Sequence, residues 1–197
     1  MAVLRKLIFA IKKQFKTAVV IKKTHRMALK INSKAPDFRL QDANNREFHL
    51  FSEIGQEGMV LLFFPKAFSP GCTKEVCGFA EDISFYQQKG IRLAGISHDP
   101  PDTLKRFQLR YQIPFTLLSD PGRVVCRMYD AVYPFGLLTR RLTCYIHPDK
   151  TIRHISDNLL KPDVHLEELR EFLLLHPQTT ILHPNDSSQP QFWAKGA

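Results

Sequence analysis

From Lys34 onward the chain is a succession of short apolar runs of different period. FRLQD and REFHLF, parted by the turn-like ANN, alternate apolar with polar positions and predict a hairpin or two short strands. GMVLLFFP is a continuous apolar run of the buried-strand type, closed by Pro65. TKEVCGFAEDISFYQQKG predicts one helix with Gly90 as its stop. IRLAGISHD is a second buried strand, and beyond the PP breaker come DTLKRFQLRYQ as helix, PFTLLSD as strand and GRVVCRMYDA as a short helix. RRLTCYIHPDKTIRHI predicts a hairpin turning at His147-Pro148-Asp149-Lys150. KPDVHLEELREFLLLH is an amphipathic helix with Asp163 as its expected cap.

Strands alternating with helices predict an α/β fold with parallel pairings, and the late hairpin adds antiparallel ones: a central mixed β-sheet flanked by helices. The order βαβ, then β, β and α, resembles the thioredoxin arrangement. The 197 residues, 44% of them hydrophobic, suffice for one sizeable core. The domain is expected over 34–175. A tail over 176–197, with Pro177, Pro184, Pro190 and the run NDSSQPQ, has the composition of a flexible segment, although Trp193 within it could dock.

Charge divides the chain. The net +9 is carried by the first 34 residues, where Arg5, Lys6, Lys12, Lys13, Lys16, Lys22, Lys23, Arg26, Lys30 and Lys34 face no acid, while the rest holds 18 bases against 19 acids. In the extension over 1–33, Leu4, Leu7, Ile8, Ile11, Phe15 and Val19 fall at helical spacing, with Arg5, Lys12, Lys13 and Lys16 on the other side. This pattern predicts a basic amphipathic helix suited to an organelle presequence or to an anionic membrane surface, with a solvated extension as the plainer reading. Its apolar runs LIFAI and AVVI are too short for a secretory signal or a membrane span. The near-neutral remainder argues against nucleic acid as a partner.

The four cysteines, at 72, 77, 126 and 144, lack the dense spacing of a secreted disulfide scaffold and point to catalysis or metal in a reducing compartment, cytoplasm or organelle stroma and matrix. Cys72 falls where a buried strand has ended and a helix begins. There it faces unpaired backbone N–H groups and the positive end of the helix dipole, which favour the thiolate. Ser69 brings a hydroxyl that can donate to the sulfur or to a substrate oxygen. If Cys72 and Cys77 share one helix, their Cα atoms lie about 8 to 9 Å apart, beyond the roughly 7 Å that a disulfide tolerates.

The run PKAFSPGC, from Pro65 to Cys72, resembles the peroxiredoxin motif: a proline, three residues, threonine or serine, two residues, and the peroxide-attacking cysteine. With Cys77 five positions on, the chain is similar to the bacterioferritin comigratory protein, or peroxiredoxin Q, branch. APDF at the start and RLTCYI from Arg141 extend the likeness from about Ala35 to Leu175. The resemblance implies a peroxidatic Cys72, a hydroxyl partner in Ser69, a pocket shield in Pro65 and an arginine in Arg141 that stabilises the sulfur and the breaking O–O bond. It implies a thiol peroxidase for hydrogen peroxide and organic hydroperoxides, with no cofactor or metal, a sulfenic acid on Cys72, resolution by Cys77, recycling by a thioredoxin-type dithiol and a monomeric state. An intact helix would then have to unwind for the disulfide to form. Ser69 departs from the family's usual threonine, and Arg140 beside Arg141 leaves a one-residue register shift open.

Other readings compete. Cys126 and Cys144 sit at core positions, with Cys126 a second candidate partner for Cys72. The eight histidines lack metal-site spacing and read as surface or turn residues; only His98 follows a buried strand at the active-site end. Lys66 and Phe68 could line the pocket. A copper chaperone on the same fold would use Cys72, Cys77 and a distal histidine, but such carriers space their cysteines one residue closer. A disulfide reductase keeps two residues between its cysteines, whereas four intervene here.

Overall fold

The computed structural model describes residues 29–133, 138–158 and 162–176, and the basic extension before residue 29 and the tail with Trp193 lie outside them. Seven strands form one sheet: β1 (Arg39–Asp42), β2 (Glu47–His49), β3 (Met59–Phe63), β4 (Arg92–Ser97), β5 (Thr116–Ser119), β6 (Leu142–Ile146) and β7 (Ile152–Ser156). Their order is β2-β1-β5-β4-β3-β6-β7. β3, β4 and β5 run parallel, while β6, β7, β1 and β2 pair antiparallel, so the expected mixed sheet is present. Six described helices accompany it: α1 (Leu50–Glu53), α2 (Pro70–Glu81), α3 (Ile83–Gln88), α4 (Pro101–Arg110), α5 (Val124–Met128) and α6 (Pro162–Leu175).

The continuous apolar runs arise because both faces of the central strands are covered. Along β3, Met59, Leu61 and Phe63 join one core with Ala94, Ile96, Cys144 and the α5 residues Val125 and Cys126. Val60, Leu62 and Phe64 join the other, with Val76 and Phe79 of α2, Phe107 of α4 and Leu169 and Leu173 of α6. The period of two thus assigns every second residue to a different core.

Four features differ from the sequence expectation. REFHLF does not remain extended, because the chain turns into α1 directly after His49. The single helix expected up to Gly90 is two, parted at Asp82, whose φ of −89° and ψ of 11° leave the helical region. Its stop is as expected, with Gly90 at φ +66°. Third, α2 begins at Pro70 rather than near Thr73: a proline at the first position loses no helical hydrogen bond and presets φ. Similarly α6 begins at Pro162, so Asp163 falls inside its first turn rather than before it.

Candidate active site

The Pro65–Cys72 segment links the carboxyl end of β3 to α2. Phe64 N–H donates to Ile96 O at 3.0 Å, and Ala67 N–H donates to the buried Asp99 carboxylate at 2.7 Å. Ser97 Oγ donates to the same carboxylate oxygen at 2.6 Å, so one buried acid fixes the loop to the end of β4. Pro65 stands half-buried at the loop's start. Phe68 adopts φ 63°, uncommon for a bulky residue, with its ring 44% exposed against Phe107 and Tyr111. Lys66 is exposed.

Ser69 is the N-cap of α2, its carbonyl accepting from Thr73 N–H at 2.8 Å. Its hydroxyl donates to Lys66 O at 3.0 Å and makes no capping bond. Cys72, the third residue of the helix, is 1% exposed. The guanidinium of Arg141 stands against it, with Nη2 3.8 Å from the sulfur. Arg141 Nη1 donates to Gly71 O at 3.2 Å and pairs with Glu75 Oε2. A Cβ on Gly71 would stand 3.0 Å from Arg141 Nη2, so the bare glycine leaves the guanidinium a few tenths of an ångström more room beside the sulfur.

Alternation along β6 selects which arginine does this. Arg141, Thr143 and Tyr145 face α2 and α6, while Leu142, Cys144 and Ile146 face the opposite core. Arg140, turned away, pairs with Asp157 and lies over the Tyr133 ring. Arg141, not Arg140, is therefore the arginine at Cys72.

Beneath this pair lies a buried polar cluster that the sequence reading missed. Glu75 is 3% exposed; besides Arg141 it faces His165 Nδ1 of α6, at 3.5 Å from Oε1. Burial pushes the Glu75 carboxyl up to about 7 against the opposing pull of Arg141. His165 Nδ1 lies 2.9 Å from Thr143 Oγ1, and Nε2 meets the Asn158 backbone at 2.8 and 2.9 Å. Burial lowers the imidazole's proton affinity. The expectation of a surface or turn histidine fails for His165, which is fully buried. The signal was available in the spacing: Cys72, Glu75, Val76 and Phe79 form one i, i+3, i+4, i+7 stripe, and His165 stands in line with Leu169 and Leu173.

Cys77 is half-buried on the same helix, its thiol pushed up by burial and then by Glu81. All four thiols are free. Five residues of helix turn Cys77 about 140° from Cys72 and set the Cα atoms about 8 to 9 Å apart. Cys126 and Cys144 are fully buried, and burial pushes both thiols up strongly. They belong to the core on the opposite sheet face from Cys72. His98 follows β4 half-buried, its Nδ1 without a hydrogen-bond partner among the described residues.

Residues 31–155 match the model of the AhpC/TSA family. Peroxiredoxin Q, chloroplastic, of Gentiana triflora is 33% identical over 142 residues, 72% of this chain and 65% of that protein. The Arabidopsis thaliana protein of the same description is 34% identical over 140 residues, 71% of this chain and 64% of its own length. The chain thus spans less than two thirds of these relatives. Among solved structures, peroxidoxin BcpB from Mycobacterium tuberculosis superposes with a TM-score of 0.72 at 25% identity, covering 76% of this chain and 99% of the other. Peroxiredoxin Q of Xanthomonas campestris does so at 0.66 and 22%, covering 76% and 98%, a likeness of fold. The copper-carrier alternative gains no support from these likenesses.

Proposed function

Because the chain belongs to the AhpC/TSA family, we propose that it is a thiol-dependent peroxidase that reduces hydrogen peroxide and organic hydroperoxides at Cys72. The observation that carries this reading is a cysteine in the first turn of a helix with a buried guanidinium 3.8 Å from its sulfur. The Cys72 thiolate attacks the terminal peroxide oxygen. A sulfur–oxygen bond forms as the O–O bond breaks, the sulfur is oxidised by two electrons, and the departing oxygen takes a proton to leave as water or alcohol. Arg141 presents positive charge to the sulfur and to the oxygen on which charge develops. Ser69 and the Cys72 amide orient the two oxygens in line with the sulfur. For Ser69 this requires its hydroxyl to exchange the Lys66 carbonyl for substrate. Pro65 shields the pocket.

Cys77 then resolves the sulfenic acid. Its thiolate attacks the Cys72 sulfur, hydroxide departs and is protonated to water, and a disulfide remains. Both cysteines lie on α2, so the first turns must unwind for the sulfurs to meet, and a single chain suffices without a second copy. A thioredoxin-type dithiol restores both thiols by exchange. The named relatives are chloroplast proteins. A reducing compartment, cytoplasm or organelle stroma, fits this chemistry, with the basic extension as a targeting or membrane-surface segment.

Peroxide consumption supported by thioredoxin and its reductase tests the reading. The wild-type chain turns over and Cys72→Ser does not; turnover that survives in Cys72→Ser overturns it.

A further inference from the structure

Glu75 stands between Cys72 and Cys77 on α2, in the stretch that must open for the disulfide to form. Oε2 pairs with Arg141 beside β6, while Oε1 is buried without a hydrogen-bond partner among the described residues, 3.5 Å from His165 Nδ1 of α6. His165 is held in turn by Thr143 of β6 and by the backbone of Asn158 beyond β7. One buried cluster therefore ties the turn between the cysteines to the sheet and to the last helix. Opening that turn draws Glu75 out of the cluster and into water.

We propose that Glu75 and His165 are positioning residues for disulfide formation: they form a latch that holds the turn between Cys72 and Cys77 closed while Glu75 carries a proton and yields when Glu75 is ionised. The inference rests on the peroxidase reading and adds a control of its second step.

The sign follows from what each state does to the proton. Glu75 is buried in the closed site and solvated in the open one, and burial raises its carboxyl from an ordinary 4.5 to about 7. The closed site therefore binds the proton more tightly. It is fully favoured below the ordinary carboxylate range and loses ground as pH rises through about 7. The groups that face the carboxyl are Arg141 beside β6 and His165 from α6. Those that face His165 are Arg141 just before β6, Thr143 from β6, Glu168 from its own helix and His154 from β7. His165 braces α6 against Thr143 of β6 and the Asn158 backbone beside Glu75, so removing it loosens the latch, whereas a neutral amide at position 75 keeps it shut.

The test mixes the reduced full chain with one equivalent of hydrogen peroxide and follows two events by quenched-flow mass spectrometry: sulfenic acid on Cys72, captured with dimedone, and the Cys72–Cys77 disulfide. Glu75→Gln is expected to slow disulfide formation by about two orders of magnitude near pH 8 and to converge on the wild type only at about pH 4, since each unit of the rise from 4.5 to about 7 is a factor of ten. His165→Leu is expected to speed it, with His165→Asn returning toward wild type. Loss of packing alone would move Glu75→Gln and His165→Leu in the same direction. That result, or a gap that does not change with pH while Cys72 oxidises normally, overturns the latch and leaves the peroxidase reading standing. Failure of Cys72 to oxidise in the wild type overturns both.

Discussion

The Arg141 guanidinium lies 3.8 Å from the Cys72 sulfur although 69 residues separate them in the chain. The approach is made by two devices: a glycine at position 71 that offers no Cβ, and a strand alternation that turns Arg141 toward α2 and Arg140 away. One nitrogen of the guanidinium faces the sulfur and the other pairs with Glu75, so a single cation is shared by two groups able to carry negative charge.

Replacing Arg141 by methionine removes the charge that the developing oxyanion would meet. Stopped-flow measurement of Cys72 oxidation is expected to slow by about 10² to 10³, the scale seen when one transition-state donor is deleted. The same change strands a buried carboxylate, and denaturant unfolding should fall by about 3 to 5 kcal/mol. Arg140→Met, on the solvent-side pair with Asp157, should leave the oxidation rate within about twofold and cost about 0 to 1 kcal/mol.

Peptide mapping after one equivalent of peroxide should yield a Cys72–Cys77 bridge in Cys126→Ser at the wild-type rate. Cys126 lies in the core across the sheet from Cys72, and reaching it would require the sheet itself to part. Cys77→Ser should instead accumulate sulfenic and then sulfinic acid on Cys72. A Cys72–Cys126 bridge in the wild type would refute the assignment of Cys77.

Gly71→Ala separates stability from chemistry. Alanine is the better helix former by about 1 kcal/mol, so the melting temperature should hold or rise. The added methyl meets Arg141 Nη2 at 3.0 Å and presses it a few tenths of an ångström from its place beside the sulfur. Cys72 oxidation should therefore slow by about tenfold, in line with a misplaced transition-state contact. An unchanged rate would mean that this arginine does not act on the sulfur.

Asp99→Ala leaves the buried Ala67 N–H and Ser97 hydroxyl without their acceptor and frees the loop that leads to Cys72. Unfolding stability should drop by about 1 to 3 kcal/mol. Peroxidase turnover should fall with it, and Asp99→Asn, which keeps an acceptor oxygen, should recover part of both.

Much of the architecture was legible in residue order. The buried runs around Leu61 and Ala94, the turn at Asn45, the stop at Gly90 and the hairpin at Lys150 carry local signals, and each appears where those signals put it. The start of α2 lies ahead of the helical periodicity that begins at Thr73, because Pro70, well suited to open a helix, carries no periodic signal of its own. Glu75 and His165 are not legible singly, because a polar residue on a helix is solvated by default. Only the facing stripes of α2 and α6, each with one polar member, mark them as interior.

The sequence by itself determined the α/β class, the helix-borne cysteine pair and the arginine segment, because strand and helix periods and turn chemistry act over a few residues. The tertiary structure decided the rest: which arginine meets the sulfur, which cysteines lie across the sheet, and how Glu75 and His165 pair out of water. Those outcomes depend on how β6 and α6 close upon α2, and contacts between elements so distant in the chain arise only when the sheet and its two cores assemble.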